Sequence, residues 1–291
     1  ATLGFKGAKT IAVVHGQGLI VQGGSGEAPL VGETLGSDSF IREMDRAAED
    51  DRVAALVLRL DTGGGDAWAS DAIGREVERI KETKPVIISM GDACASGGYV
   101  IAYRATEIVC LPSTLTGSIG SITGKYNLAG LNEKLGLTYD GVTWGPHARM
   151  FSGLTDWTPE EKAMVREDHW KGYNRWIAGV AEQRKMTVAE VDSLGRGRVW
   201  TGREALPLKL VDRLGGLDVA IEEARAKAGI RAGDKVTVTH YPRARTFLES
   251  LLKGEGDDFM FQWMTSAVGR RLERARATLV DREWLVMDAP R

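Results

Sequence analysis

Short apolar runs alternate with stretches of helical periodicity along the first half of the chain. Between the first two runs, Phe40, Met44 and Ala47 recur at helical spacing, with Asp38 or Ser39 placed to cap the start of the helix. This alternation predicts an α/β domain with parallel strands and right-handed crossovers. The runs are rich in valine and isoleucine and have the length of buried strands: residues 11–14, 53–58, 85–90 and 107–111.

Helical patterns dominate the second half of the chain. A second helix of the α/β part is predicted over residues 67–82, and from about residue 157 the pattern becomes mainly helical. Thr158, Thr187 and Thr201 are each followed by a glutamate three positions later, the capping box that starts a helix. Pro159 occupies the first helical position of the first box, and that helix should run to about residue 184.

The remaining pattern suggests three parts. Residues 232–234 indicate a hinge, and an alternating strand follows over residues 235–240. The tail after about residue 243 is amphipathic, and we expect it to pack on a neighbouring subunit rather than on a membrane. The predicted parts are an α/β core (1–156), a helical arm that returns to the core (157–231), and a C-terminal strand with an amphipathic helical extension (232–291).

Composition and charge exclude several classes of protein. The 291 residues include 38 basic and 40 acidic ones, so the net charge of −2 gives no general attraction to nucleic acid. Two cysteines are too few for a disulfide framework or an all-cysteine zinc site. No apolar run reaches the roughly 18 residues of a membrane span. Because the chain begins with alanine rather than methionine, we expect a processed chain or a fragment.

Glycine is the outlier in the composition, with 36 residues, and it concentrates in three turns. Each turn follows a predicted strand, at the edge of an open α/β sheet where ligands and catalysis are placed. Glycines at that edge let the backbone approach a substrate and leave amide N–H groups free to point into a cleft. The turns lie within residues 59–65, 95–99 and 115–120.

Ser96 is the most suggestive residue in these turns. It follows the strand at 85–90 and opens a predicted helix, whose N-terminus favours developing negative charge. The amide of Gly97 and one amide of the Gly63–Gly65 turn can together form an oxyanion hole, where one donor contributes roughly 3–4 kcal/mol in known enzymes. On physical grounds alone, an N-cap serine beside a tight turn is the favoured alternative, because small residues after strands are common.

Other candidate chemistry is weaker. The glycine turns lack the nucleotide patterns G-x-x-x-x-G-K-[ST] and G-x-G-x-x-G, and the four histidines form no H-E-x-x-H, so we expect no nucleotide, metal or organic cofactor. Cys94 is a second candidate nucleophile, although free cysteine is usually a small buried residue. Cys94 and Cys110 end adjacent predicted strands and can be neighbours. Four tryptophans near the first long helix are expected to pack: Trp144, Trp157, Trp170 and Trp176.

Several motifs resemble the signal peptide peptidase A (protease IV) family, over residues 9–230 and in the family's order. The match is nearest to the C-terminal repeat of its long, two-repeat members. The family's R-x-D-S-P-G-G reads R-L-D-T-G-G-G at 59–65, A-S-G-G-Y is intact at 95–99, and S-T-L-T-G-S-I-G is intact at 113–120. V-W-T-G-x-x-A stands at 199–205 and L-V-D-x-L-G at 210–215.

This resemblance implies a ClpP/crotonase-like α/β fold, a spiral of ββα units with a helical arm. It also implies a serine endopeptidase with a Ser–Lys dyad and no cofactor, cleaving extended hydrophobic or small-residue peptides such as cleaved signal peptides. The expected location is the bacterial cytoplasmic membrane, on its periplasmic or outer face. We expect a homo- or hetero-oligomer that binds peptide and no nucleic acid.

The resemblance also implies roles for particular residues. Ser96 would be the nucleophile and Ser118 would orient the general base. The amides of Gly64 and Gly97 would form the oxyanion hole. The segment from Gly64 would pair with substrate as an added strand through Gly65, Asp66 and Ala67.

Two departures from the family pattern bear on activity. Thr62-Gly63 replaces Ser-Pro, which loosens the turn, and Ala148 stands where short members carry the catalytic lysine. The base can therefore come from an N-terminal repeat or a second chain, or from Lys125 or His147 as a substitute. Two non-protease alternatives stay open: a binding or scaffold protein of the same fold, and a crotonase-like acyl-CoA enzyme that would not need the serine.

Overall fold

The computed structural model describes residues 9–29, 31–231 and 233–242. The strands are β1 (Lys9–Gln17), β2 (Leu19–Val21), β3 (Gly26–Ala28), β4 (Gly32–Gly36), β5 (Val53–Thr62), β6 (Val86–Ala95), β7 (Glu107–Cys110), β8 (Leu115–Gly117), β9 (Val199–Thr201), β10 (Arg213–Leu214) and β11 (Val236–Tyr241). The helices are α1 (Ser37–Glu49), α2 (Ala67–Lys81), α3 (Gly97–Ala102), α4 (Ala129–Lys134), α5 (Pro159–Arg184), α6 (Val188–Leu194), α7 (Gly202–Ala205) and α8 (Leu217–Lys227).

A parallel sheet organises the described part of the chain. Its strands run in the order β10-β7-β6-β5-β1-β11, and every pair along this path is parallel. At the carboxyl end of β6 a second partner, β8, pairs in parallel and in turn pairs with β9 in the antiparallel sense. A small separate sheet has the order β2-β4-β3. The four predicted strands coincide with β1, β5, β6 and β7, which confirms the α/β assignment.

Both faces of the main sheet are covered, which explains why its strands read as continuous apolar runs. Leu58 and Ile88 belong to a buried cluster that includes α1, α2 and α3. Their neighbours along the strands, Val57 and Ile87, belong to a second cluster with Ala220 of α8. Since successive side chains point to opposite faces, both residues of each pair are buried.

The start of α1 differs from the prediction. The helix begins at Ser37 with Gly36 as its N-cap and has no side-chain cap, so neither Asp38 nor Ser39 fills that role. The Ser39 hydroxyl instead accepts a hydrogen bond from the Ser25 amide at 3.1 Å. A Cβ at position 36 would stand 2.3 Å from the Ser25 nitrogen, so only glycine fits where this loop crosses the helix start.

The three predicted capping boxes are all present. At Thr158, Thr187 and Thr201 the hydroxyl accepts from the amide three residues on, and the glutamate there accepts from the threonine amide. The first helix ends at Arg184 as expected, because Lys185 takes a left-handed conformation with φ of 53°. The patterns of polar residues alone therefore located these helix starts.

The C-terminal strand pairs with the core. Residues 236–241 form β11, which lies beside β1 along six register pairs. The chain divides into a compact unit of residues 1–242 and a second unit of residues 243–291, and the predicted amphipathic extension falls in that second unit, outside the described residues. No described helix combines the length and the apolar character needed to cross a membrane.

Candidate active site

The three glycine-rich turns meet at the carboxyl edge of the sheet. The register pairs Thr62 of β5 with Cys94 of β6, and Ala95 of β6 with Gly117 of β8. Because parallel strands end at the same edge, the residues that follow them are neighbours in space. Ser96 therefore lies between the turn after β5 and the turn after β8.

Ser96 stands on a strained turn between β6 and α3. Its backbone has φ of 52° and ψ of −117°, outside the regions that L-residues favour. Its amide donates to the Gly117 carbonyl at 2.9 Å. Its hydroxyl makes no capping bond and has no hydrogen-bond partner among the residues that the structure describes. Ser96 thus holds the N-cap position of α3 but its side chain caps no amide, and a strained strand-to-helix turn of this kind is typical of nucleophilic serines.

The two glycines after Ser96 are required by space. A Cβ at Gly97 would stand 2.3 Å from the Ser70 hydroxyl, and one at Gly98 would stand 2.8 Å from Cγ2 of Thr62. Any side chain here would push α3 away from the turn after β5. The A-S-G-G sequence is thus explained by the close packing of α3 against the side chains of Ser70 in α2 and Thr62 at the end of β5.

Gly64 packs directly against Ser96. Its φ is 108°, and a Cβ there would stand 2.7 Å from both the Ser96 Cβ and the Gly97 nitrogen. Its own amide is already used, because it donates to Oγ1 of Thr62 at 3.1 Å. Gly64 therefore gives the turn its shape rather than a free donor.

The free donors are the amides of Gly65 and Gly97. Neither has a hydrogen-bond acceptor within the described ranges, and the Gly65 nitrogen stands 3.2 Å from the place where a Cβ of Gly97 would be. This geometry corrects the expectation that Gly64 pairs with Gly97. The structure offers Gly65 as the second donor, one residue further along the turn.

The predicted substrate strand is shorter than expected. Ile20 of β2 accepts from the Asp66 amide at 2.9 Å, so that amide is not available to a peptide. The Asp66 carboxylate also caps α2 by accepting from the Ala69 amide at 2.8 Å. Ala67 is the first residue of that helix. Of the three candidates, only Gly65 both pairs with β2, through a bridge to Ile20, and keeps an unused amide.

Arg59 and Asp61 support β6, the strand that leads to Ser96, a role the sequence did not reveal. The Arg59 guanidinium donates to the Ser89 hydroxyl at 3.0 Å and to the Met90 carbonyl at 2.8 Å. The Asp61 carboxylate accepts from the Ala93 amide at 3.1 Å. These bonds cross from β5 to β6 where the register between the two strands shifts. The R-x-D part of the turn motif thus positions the end of β6.

Ser118 directly follows β8 and lies beside Ser96, which directly follows β6. Its φ is 48°, and its amide donates to the Arg198 carbonyl at 2.7 Å. Ser96 and Ser118 follow the register pair Ala95 and Gly117, and both are half-buried. The structure therefore brings the two predicted serines together, and no described residue hydrogen-bonds either hydroxyl.

Lys125 and His147, the two predicted substitute bases, make no hydrogen bond to Ser96. Lys125 donates to the Ser152 carbonyl at 3.1 Å and lies 5.7 Å above the Trp157 ring. The His147 imidazole lies 3.7 Å from the carboxylate of Glu161. Among the described residues, no lysine or histidine hydrogen-bonds Ser96, so the geometry shows the candidate nucleophile and two free amides without a base beside them.

The cysteines lie in the core rather than in the site. Both thiols are free and buried in the cluster beneath the turns. Burial, with a smaller effect of the Asp61 carboxylate, raises the pKa of Cys94 well above its usual range. Burial also raises the pKa of Cys110 to about 11. A thiol that stays protonated at neutral pH is a poor nucleophile, so Cys94 is not a competitor to Ser96.

Comparison with known proteins gives the chain a family. The model of peptidase family S49 matches residues 78–231. The chain is 36% identical over 257 residues to the chloroplastic serine protease SPPA of Arabidopsis thaliana, covering 88% of this chain and 38% of that protein. It is 38% identical over 223 residues to Protease 4 of Salmonella typhi, covering 76% of this chain and 35% of that protein. The chain thus spans little more than a third of these relatives.

A solved structure confirms the fold. It is a mutant of the 1510-N membrane-bound stomatin-specific protease in complex with a substrate peptide, with a TM-score of 0.51 and 19% identity. The alignment covers 86% of this chain and 99% of that one. The likeness thus extends over nearly all of the shared α/β fold. With the family model matching more than half of its length, the chain belongs to peptidase family S49.

Proposed function

We propose that this chain carries the nucleophile and oxyanion hole of a serine endopeptidase. One observation carries the proposal: the free hydroxyl of Ser96 stands on a strained turn beside the unused amides of Gly65 and Gly97. A scaffold protein has no need of a strained, unpartnered serine at this edge. A crotonase-like enzyme would use the amides but not the serine.

The reaction follows from these groups. The Ser96 oxygen bonds to the peptide carbonyl carbon, its proton passes to a neutral base, and the carbonyl electron pair moves onto oxygen. The Gly65 and Gly97 amides stabilise that oxyanion, each donor contributing roughly 3–4 kcal/mol in known enzymes. Collapse breaks the C–N bond, the base returns the proton to the leaving amine, and water then hydrolyses the acyl ester.

The base, in this proposal, is a lysine from an N-terminal repeat or a second chain. Position 148 is alanine, and Lys125 donates to a backbone carbonyl instead of to Ser96. The lysine must be neutral to accept the proton, so its site must be poor in water. Ser118, next to the nucleophile, would orient its amine by a hydrogen bond.

An exposed apolar segment supports an assembly. Between β8 and α5, Ile122 and Val142 are fully exposed and Trp144 is 93% exposed. Large apolar side chains concentrated in one exposed segment mark a surface that a partner covers. A homo- or hetero-oligomer that covers this segment would stand next to Ser118, where the missing lysine is needed. Trp144 and Trp170 are thus exposed, contrary to the packing expected of the tryptophans.

The proposed substrates are extended peptides with small or hydrophobic residues, such as cleaved signal peptides. An extended chain would add to the Gly65 edge through backbone bonds, which read shape rather than sequence. We place the enzyme at the bacterial cytoplasmic membrane, on its periplasmic or outer face. Support comes from the family resemblance and from the membrane-bound protease of similar fold.

Fluorophosphonate labelling tests the proposal. The chain is labelled alone and together with any co-purifying partner, with Ser96→Ala as the negative variant and Ser193→Ala, on the exposed face of α6, as the matched control. We expect labelling in the presence of the partner, lost in Ser96→Ala and kept in Ser193→Ala. Labelling of the chain alone would place the base within it, at Lys125 or His147. No labelling under either condition would overturn the protease proposal and favour a scaffold.

A further inference from the structure

Thr62 connects the oxyanion turn to the helix that follows the nucleophile. It ends β5 and is 2% exposed. Its hydroxyl accepts from the Gly64 amide at 3.1 Å and donates to the Gly64 carbonyl oxygen at 3.4 Å. Its methyl group, Cγ2, lies 2.8 Å from the position that a Cβ of Gly98 would take. One buried side chain thus contacts both segments that supply the free amides.

The direction of the Gly65 amide depends on the conformation of Gly64. The Gly64 carbonyl accepts from the Ile20 amide at 2.9 Å, and the peptide that joins Gly64 to Gly65 is trans. In a trans peptide the C=O and N–H groups point in opposite directions. Because the carbonyl points to β2, the Gly65 N–H points away from β2, towards Gly97. Any rotation of this peptide would remove a donor from the site.

Three consecutive glycines leave this peptide free to rotate unless something restrains it. Glycine populates positive and negative φ about equally, and Gly63 has no contact within 4 Å of its Cβ position. The Ile20 amide holds the Gly64 carbonyl from one side, and the side chain of Thr62 adds a second restraint. Its β-branched carbon has few rotamers, and its hydroxyl bonds to both the amide and the carbonyl of Gly64 from inside the core.

We propose that Thr62 is a positioning residue that holds the Gly64–Gly65 peptide with its N–H in the oxyanion hole. The residue does not touch the substrate and acts through Gly64. This inference rests on the proposed function, because it concerns a donor for the same reaction. It adds that a side chain in the core determines whether that donor is present.

The test compares three variants. Thr62→Val removes the hydroxyl and keeps the shape, and Thr62→Ser keeps the hydroxyl. Thr106→Val is the matched control, since the Thr106 hydroxyl also accepts a backbone amide at 3.1 Å, from Val86 at the opposite end of β6. We expect Thr62→Val to lower the rate constant of fluorophosphonate labelling about tenfold, as for one lost hydrogen bond. With peptide, kcat should fall and KM should change little, while Thr62→Ser and Thr106→Val stay near the wild type.

Two results would overturn the inference. One is Thr62→Val labelling at the wild-type rate, and the other is an equal loss of labelling in Thr106→Val. Hydrogen exchange keeps the test independent of catalysis: the Gly64 amide should exchange about tenfold faster in Thr62→Val than in Thr106→Val, and recover in Thr62→Ser. If the wild type does not label at all, the proposed function fails. Unchanged exchange at Gly64 then rejects the role of Thr62 separately.

Discussion

At the scale of single residues, the site depends on a few backbone conformations that the neighbours enforce. Ser96 has positive φ, as do Gly64 and Ser118 beside it. A non-glycine residue in such a conformation costs about 1–3 kcal/mol. Here the hydrogen bond from the Ser96 amide to Gly117 and the contact with Gly64 hold the turn. In this conformation the Ser96 hydroxyl makes no hydrogen bond to any described residue.

The strain predicts an unusual order of stability at position 96. Ser96→Gly should be more stable than Ser96→Ala by about 1–2 kcal/mol, because glycine adopts φ of 52° without a Cβ penalty. Urea unfolding of the two variants measures the difference. Position 193 in α6 is the control. There the alanine variant should have a free energy of unfolding about 1 kcal/mol higher than the glycine variant. Finding alanine the better residue at position 96 would show that the turn is not strained.

At the scale of elements, the edge strand β11 carries a histidine pair with β1. Nε2 of His15 lies 2.8 Å from Nδ1 of His240, and the two rings stack at 5.1 Å. His15 also stands in register with Arg59 of β5. Burial, then His240, then Arg59 lower the pKa of His15. The contact therefore joins the last described strand to the core best when His15 is neutral.

This pair predicts that stability falls in mild acid. With the His15 pKa lowered in the folded state, the unfolded chain binds more protons below about pH 6.5, so the free energy of unfolding decreases as pH falls through that range. Above that range the contribution is fully present. Urea unfolding between pH 5 and 8 measures the slope, and His15→Gln should flatten it. His169→Gln, on α5, is the control for removing a histidine outside the pair. Equal slopes of stability against pH in the wild type, His15→Gln and His169→Gln would contradict the prediction.

At the scale of the whole molecule, the segment between β8 and α5 differs from the core around it. The central strands β5, β6 and β7 bury all of their large apolar side chains, whereas this segment exposes several. Exposed apolar side chains contribute little to the stability of one chain, but they gain contacts when a partner covers them. The assembly and the isolated chain should therefore respond differently to changes here.

Polar substitutions in this segment should weaken assembly without unfolding the chain. In Val142→Ser with Trp144→Ser, sedimentation velocity should show a shift from oligomer to monomer, while the melting temperature of the monomer stays unchanged. Both side chains are at least 93% exposed, so little core packing is lost. Val188→Ser, an exposed apolar residue of α6, should leave the oligomer intact. An unaltered oligomer in the double variant would place the interface elsewhere.

Local patterns predicted much of this architecture. The apolar runs fixed four strands, and the three capping boxes located their helices, since both signals depend on neighbours within about four residues. Motif order also selected Ser96 and Ser118 as candidate site residues, and the structure places them side by side after β6 and β8. Signals of such short range cannot show which side chains form hydrogen bonds to residues that are distant in the sequence. Ser39, expected to cap α1, instead binds a loop 14 positions earlier in the chain.

The sequence by itself therefore predicted the central strands of the main sheet, the three capped helix starts and Ser96 as the candidate nucleophile. The tertiary structure decided which amide is free. Gly64 and Gly65 are the same residue type in the same turn, but the Gly64 amide donates to Thr62 and its carbonyl accepts from Ile20, whereas the Gly65 amide has no acceptor in the described part of the chain. It also assigned Arg59 and Asp61 to the support of β6, through bonds that cross between strands about 30 residues apart. Hydrogen-bond direction is a property of packed backbone, and it is set only when distant segments meet.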